Sequence, residues 1–443
     1  MSSYCLSRPV RLFLWCLIAG ITLAGGAPAR AQAVPLSLDE AVALATGQSA
    51  RVKATEAQAD AARQMAVAAG QRPDPVLKLG INNLPVDGPD RWSLTRDFMT
   101  MRSVGLMQEL TRADKRRARA ARAAGEADAA AVAQRQVTAE LQRDAALAWL
   151  ERSFQQSMRE LLVTQRIEAE LQLQAAEAAY RGGKGMQADV LAARTEVETM
   201  HDRIAQVDRM LAVSTIQLGR WIGDAAARPV AARPAFAPPP WAEGDLAMHL
   251  TGHPQIAGAT QQVALAQAEA SIARAERQAD WSVELMYSQR GPAYSNMVSL
   301  NLSVPLQWDQ KQRQDRELAA RQSQVNRAAA ELDDLLRAHE AEVRALLQEW
   351  QSEAGRLRRH DEKLLPLARQ RVEAALSAYR AGSGSLTAVL EARRTEIDTR
   401  MERLRIEMEI SRRWAQLEFL DLAVPTAASP ARHQIADAPR SRP

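Results

Sequence analysis

The sequence predicts a mainly α-helical chain with a small β part, laid out as two copies of one plan. Three observations carry this. A glycine turn occurs twice: Ala179-Tyr180-Arg181-Gly182-Gly183-Lys184-Gly185, followed by Val190-Leu191 and Arg194-Thr195-Glu196, returns about 200 residues later as Ala378-Tyr379-Arg380-Ala381-Gly382-Ser383-Gly384, with Val389-Leu390 and Arg394-Thr395-Glu396. Between the copies the register slips by one residue before the Arg-Thr-Glu. Each turn separates two long runs poor in proline and glycine, and short stretches of alternating apolar and polar residues precede them in each half.

Residues 1–33 read as an export signal. Arg8 and Arg11 give the positive start, Leu12 to Leu23 a short apolar run, and Ala29-Arg30-Ala31 and Ala31-Gln32-Ala33 small-x-small cleavage sites. The run is too short to favour a membrane-spanning helix. Leu23-Ala24-Gly25-Gly26 has glycine where a lipidated cysteine would sit, so no lipid anchor is expected. Both cysteines, Cys5 and Cys16, lie here, which leaves the mature chain without disulfides or thiolate metal sites. The signal holds three arginines and no acid, so its removal takes the formal charge from +4 to about +1. That excludes a nucleic-acid footprint.

The first structural repeat is placed at 34–224, a Pro/Ala connector at 225–244, the second repeat at 245–422, and a disordered tail at 423–443. The connector contains Pro229, Pro234 and Pro238-Pro239-Pro240, which remove backbone donors and fix φ. Each repeat opens with a short helix ending in Thr-Gly, at Thr46-Gly47 and Thr251-Gly252. A helix of about 20 residues follows, expected to reach Asp74 or Asp280.

Next in each repeat comes a strand pair. Leu77, Leu79 and Ile81 share one face, as do Val104, Leu106 and Leu110; Trp281 to Ser288 and Val298 to Val304 alternate likewise. Runs of about ten residues match a tilted strand crossing a bilayer. Asn82-Asn83-Leu84-Pro85 to Asp90 opens a long first loop, and Arg290-Gly291-Pro292, with Asn296 beyond, marks the second turn. Trp92, Phe98, Trp281, Tyr287, Tyr294 and Trp308 gather at strand ends, as an aromatic girdle would. A soluble sheet with aromatic core residues fits the alternation equally.

The long helices are clearer. Arg112 to Tyr180 contains no proline and one glycine, Gly125; Lys311 to Tyr379 contains only Pro366 and Gly355. Each is expected to be one helix, roughly 100 Å long. Leu147, Leu150, Phe154, Met158 and Leu161 keep coiled-coil spacing, as do Leu332, Leu336, Val343, Leu346 and Trp350 with His339 in the gap. Beyond the turns, Val190, Val197, Ile204 and Leu211, and then Leu390, Ile397 and Leu404, recur every seven residues. An aromatic content of 4% argues against a bulky globular interior. Basic clusters follow each second strand: Arg112, Lys115, Arg116, Arg117 and Arg119, then Lys311, Arg313 and Arg316. Cations at a helix N-terminus oppose its dipole, and lipid phosphates or neighbouring acids would compensate.

No catalytic constellation is present, and no enzyme activity or cofactor is expected. His249 and His253 are separated by Gly252 and followed by Pro254, which rules out a helical metal pair, and His339 reads as a packing residue. Gly182, Gly183 and Gly185 lack phosphate-loop spacing.

Signal, duplication, strand hairpins and giant helical hairpins together resemble the outer-membrane efflux family, the TolC-like channel-tunnels. The best-matched pieces are Tyr180/Gly183 and Tyr379/Gly382 with the Val-Leu after each. The resemblance implies a homotrimer in the cell outer membrane that reaches into the periplasm. Four strands per chain would close a twelve-stranded β-barrel against lipid, continued by a trimeric α-barrel. It also implies a periplasmic adaptor and an inner-membrane pump of the RND type as partners. Asn83-Leu84-Pro85-Val86-Asp87-Gly88-Pro89 and Arg96-Asp97-Phe98-Met99-Thr100-Met101 look similar to segments of the heavy-metal branch. Met99, Met101 and Met107 are thioethers suited to Cu(I) or Ag(I), although strand methionines more often pack; no metal site is assigned.

By the same resemblance, Gly182, Gly183, Gly185, Gly382 and Gly384 form the adaptor-docking tips, and Asp189 and Glu391 the pore gate. Related channels carry acids in this region of the second repeat; Glu391 matches one such position, Ala388 replaces another, and Asp189 takes the equivalent place in the first repeat. The functional expectation is a passive exit duct of a tripartite efflux pump, conducting heavy-metal cations. The same duct serving drug efflux or type I protein secretion, and a pore-less coiled-coil scaffold, are the alternatives.

Overall fold

The computed structural model of the chain describes residues 34–243 and 246–420. The export signal, both cysteines and the tail at 423–443 lie outside the described residues. In the first repeat, α1 (Leu38–Gln48) and α2 (Ala50–Ala69) lead into β1 (Val76–Asn82) and β2 (Met101–Leu110), then α3 (Ala113–Arg181) and α4 (Gln187–Ile222). The second repeats the order with α5 (Leu246–Leu250), α6 (Pro254–Ala275), β3 (Trp281–Gln289), β4 (Met297–Ser303), α7 (Gln314–Arg359), α8 (Leu365–Arg380) and α9 (Leu386–Glu418).

Local chemistry sets the boundaries. Ser37 accepts the Glu40 amide at the start of α1, and Ser49 accepts the Val52 amide at the start of α2. α1 runs through Thr46-Gly47 because Ser49, not the glycine, ends it. α2 and α6 stop at Ala69 and Ala275, about five residues before the expected aspartates. Gly70 ends α2 with Pro73 and Pro75 beyond, and Asp280 serves another purpose: its carboxylate accepts the Arg112 amide at 3.0 Å and the Lys115 ammonium at 2.7 Å. Arg112 pairs with Asp114, Arg116 and Arg117 donate to Thr111 and Ala113 carbonyls, and Arg122 meets Glu269. The first basic cluster is thus compensated largely within the chain.

α3 is a single helix of 69 residues. Its counterpart is not, which corrects the expectation of a continuous second rod. Between α7 and α8, residues His360–Leu364 form one π turn, with the Leu365 amide donating to the His360 carbonyl. Pro366 lacks an amide and its ring would strike the carbonyl four residues back. The wider turn accommodates it while the helix axis continues.

The main core gathers where the connector crosses the helices: Leu36, Ala145, Trp149, Leu150, Phe154, Leu218, Ile222 and Ala415 are buried together. Leu36 exchanges backbone hydrogen bonds with Pro229 and Ala231, and the Trp149 indole donates to the Leu36 carbonyl at 3.1 Å. Toward the turns, Met158, Leu162, Met200, Val207, Ile397 and Met401 join α3, α4 and α9. Leu162 is buried where Leu161 was expected, because a straight helix drifts from a strict seven-residue repeat.

The four strands form one antiparallel sheet in the order β1-β2-β3-β4, so the two repeats are joined through β2 and β3. Its register lines up whole rows: Leu77, Leu106, Leu285 and Leu300 in one, Leu79, Val104, Tyr287 and Val298 in the next. These rows share a face that is exposed in the single chain, with Leu300 at 72% and Leu79 at 74%. The outer edges of β1 and β4 are unpaired among the described residues.

Candidate functional site

The two helical tips are built alike. At the first, the Gly183 amide donates to the Tyr180 carbonyl, and the amides of Lys184 and Gly185 converge on Ala179 at 2.9 and 3.1 Å. At the second, Gly382 donates to Tyr379, and Ser383 and Gly384 converge on Ala378 at 3.0 Å each. Gly183 and Gly382 have φ of +71° and +75°, where a side chain is strained. Gly185 and Gly384 are needed for closeness: a Cβ would lie 3.1 Å from the Tyr180 nitrogen or 3.0 Å from the Ala378 Cβ. Gly182 is different. Its φ is −80° and Ala381 takes its place in the second tip, so the backbone there does not require glycine. Leu386, Val389 and Leu390 pack with Ala176 and Ala193 directly behind the tips.

Asp189 and Glu391 both stand in the first turns after a tip, but in different settings. Ser385 caps α9 by accepting the Ala388 amide at 3.2 Å. Met186 has no such hydroxyl at the start of α4, and the Asp189 carboxylate reaches back to the Met186 amide at 3.3 Å. Asp189 and Ala388 are therefore equivalent third positions of their helices, and the acid stands where the cap lacks an oxygen. Glu391 lies one turn deeper and is exposed.

On the opposite face of the sheet, Lys78 Nζ meets Glu284 Oε2 at 2.8 Å, reaching from β1 to β3. Gly105 of β2, between them, puts no side chain in the way. This ion pair was not read from the sequence; lysine and glutamate breaking otherwise uncharged strands were the available signal. Met101 and Met107 lie six positions apart on β2 and Met99 lies in the exposed loop before it. At about 3.4 Å per residue, Met101 and Met107 are too far apart to share one ion. Among the described residues no group of three or more acidic, histidine or cysteine side chains could hold a metal. The aromatics divide between the sheet's ends: Trp92, Phe98 and Tyr294 belong to the loops, Trp281 and Trp308 to the helical end, and Tyr287 to the strand itself.

A cavity of about 1000 Å³ opens between α3, α7, α9 and the connector. Its Arg403 is paired with Asp361 and Glu407, and its Arg233 with Ser153, Ser157 and Glu407.

His339 was expected to be a packing residue, and it forms a buried pair with His253, ring centroids 4.1 Å apart and planes tilted by 48°. His253 Nδ1 accepts the Gln255 amide at the start of α6, which fixes that ring as an N-cap. Burial, and secondarily the neighbouring His339, lowers its pKa to about 4. The unfolded chain then binds a proton near pH 6.5 that the folded chain refuses. Stability contributed by the neutral ring is present above pH 6.5 and is lost between pH 6.5 and 4. In thermal melts over that range, His253→Asn, which keeps an acceptor for the cap, should show a shallower decline than the parent chain.

The outer membrane efflux protein family model matches residues 41–224 and 246–421, most of the chain and both repeats. No curated protein matches. Among solved structures the chain is similar to CusC, described for conformational changes accompanying folding and transmembrane channel formation, with a TM-score of 0.75 and 16% identity over 90% of this chain and 95% of that one. The outer-membrane channel OprN gives 0.73 at 16% identity, covering 87% and 89%. The outer membrane protein VceC of Vibrio cholerae gives 0.70 at 16%, covering 87% and 96%. At these identities the likeness is one of fold, and the fold is that of the TolC-like channels.

Proposed function

The chain belongs to the outer membrane efflux protein family, and on that premise we propose that it is the passive exit duct of a tripartite pump. It is a transport conduit of the outer membrane and not an enzyme. The observation that carries the duct reading is the sheet: one face with exposed leucine rows, a more polar opposite face, and two edges unpaired among the described residues. Three chains pairing β4 to β1 around a threefold axis remove those edges and turn the leucine rows to lipid. Lys78, Glu284 and Asn301 then face the lumen. Heat-modifiable trimers with single-channel conductance in planar bilayers are expected; a monomer without conductance would leave only a scaffold.

The tips dock the periplasmic adaptor in this reading, and the adaptor links the duct to an inner-membrane pump of the RND type. Heavy-metal cations are the proposed cargo, supported by the segments at 83–89 and 96–101. Deleting the gene should sensitise cells to metal salts; sensitivity confined to organic drugs would overturn that cargo.

Asp189 and Glu391 form carboxylate rings at the periplasmic end, three of each, which favour cations in a narrow wet pore. Glu391, exposed and uncommitted to a cap, carries more of the effect than Asp189, whose carboxylate also holds its helix start. Glu391→Ala should lower cation preference and weaken block by multivalent cations in planar bilayers, and Asp189→Ala should add a smaller change. Unchanged selectivity and block in the double variant would put both outside the gate.

A further inference from the structure

The two repeats leave the sheet in different ways. β2 passes into α3 through two residues, Thr111 and Arg112, whereas β4 reaches α7 only after ten, 304–313. This longer segment is held in place. Gln307 donates to the Glu276 carbonyl at 3.0 Å and Gln310 to that of Arg277 at 3.2 Å, both at the end of α6. With those two side chains turned inward, Leu306 and Trp308 are left outside, Trp308 at 88% exposure. They extend the sequence alternation of Leu300, Leu302 and Val304 past the end of β4, and all five are exposed.

The charge beside them is net positive. Lys311, Arg313 and Arg316 are exposed, and none of them meets an acid among the described residues. Asp315 pairs with Arg277 and Glu317 with Arg321, which leaves Asp309, accepting the Gln312 amide, as the one unpaired acid of the stretch among the described residues. Trp308 joined to three free cations at the edge of an apolar sheet is the chemistry of a membrane interface that carries phosphate.

We infer that 304–313 is an interfacial anchor that lies on the periplasmic leaflet, seats Leu306 and Trp308 among the lipids and binds anionic phospholipid headgroups through Lys311, Arg313 and Arg316. The inference rests on the membrane reading of the sheet. A cation near such a surface contributes roughly fivefold in lipid preference.

The mature chain has no cysteine, so single probes are available. Trp308→Cys and Leu302→Cys, each labelled with an environment-sensitive dye, are reconstituted as the full-length assembly in liposomes of phosphatidylcholine and phosphatidylglycerol, with one lipid or the other brominated. Quenching is expected at both sites. At position 308, brominated phosphatidylglycerol should quench at least about twofold more than brominated phosphatidylcholine at equal mole fraction. Lys311→Gln with Arg313→Gln and Arg316→Gln should bring that ratio to one. Quenching at 302 but not at 308 overturns the anchor alone and leaves a neighbouring protomer or water against Trp308. Equal quenching by both lipids in the parent charge background overturns headgroup recognition. No quenching at 302 overturns the membrane reading and the anchor with it.

Discussion

Leu300→Arg is expected to leave almost no trimer in the outer membrane, whereas Asn301→Arg, one residue away, assembles. Leu300 lies in the row that runs Leu77, Leu106, Leu285 across the sheet, midway along β4, and is 72% exposed in the single chain. A lipid-facing arginine at mid-depth costs about 2–4 kcal/mol per chain, and threefold symmetry repeats that cost around the barrel. Asn301 points the other way and is paired with Glu284 of β3, where an added guanidinium finds an acid. Immunoblots of membrane fractions before and after heating read the outcome. Equal assembly of both variants would mean that the leucine rows face water or protein.

The second large effect is expected at the tips. Gly183→Trp with Gly382→Trp should reduce efflux to the level of a deletion strain while trimers remain in the membrane. Both positions require left-handed backbone, which costs a side chain roughly 1–2 kcal/mol. Beyond its own chain neighbours, neither has a described atom within 4 Å of where a Cβ would stand, so an indole is thrown into open space rather than into the core. The fold absorbs the strain, and the new bulk occupies the surface an adaptor would touch. Gly182→Ala is the control: Ala381 already occupies that place in the other tip, and wild-type efflux is expected. The measurement is adaptor cross-linking alongside resistance. Undiminished cross-linking in the tryptophan variants would remove the tips from the docking surface.

The layout was legible because its strongest signals are repetitive. Two long runs nearly free of helix breakers, two matching glycine turns and four alternating strands leave few other arrangements, and apart from the break ahead of Pro366 each appears in the structure within a few residues of its expected place. What stayed hidden depends on contacts far apart in sequence. Pairing of β2 with β3 across the repeats has no local signature. The Lys78–Glu284 pair joins residues 206 positions apart, and the Lys115–Asp280 pair 165 apart. Asp280 looked like the end of a helix because its role in holding the start of α3 lies on another element. Pro366 was visible, but a single proline does not say whether a helix kinks, stops or widens. At the candidate gate, the family resemblance pointed to Asp189 and Glu391, yet only the missing hydroxyl at Met186 explains why Asp189 turns back on its own backbone.

The π turn at 360–364 makes the two hairpins of one chain mechanically unequal. α3 is a beam with one continuous ladder of hydrogen bonds, and bending it means stretching that ladder along its length. The second beam is segmented: its ladder changes pitch just ahead of Pro366, where one rung is missing. A load applied equally to both tips deflects the second hairpin further, with the pivot beside His360 and the Asp361–Arg403 pair acting as a tie between α9 and the pivot. In the proposed trimer, three such pivots would alternate with three continuous α3 rods around the axis, a tube of stiff and compliant staves whose end would widen like a collet.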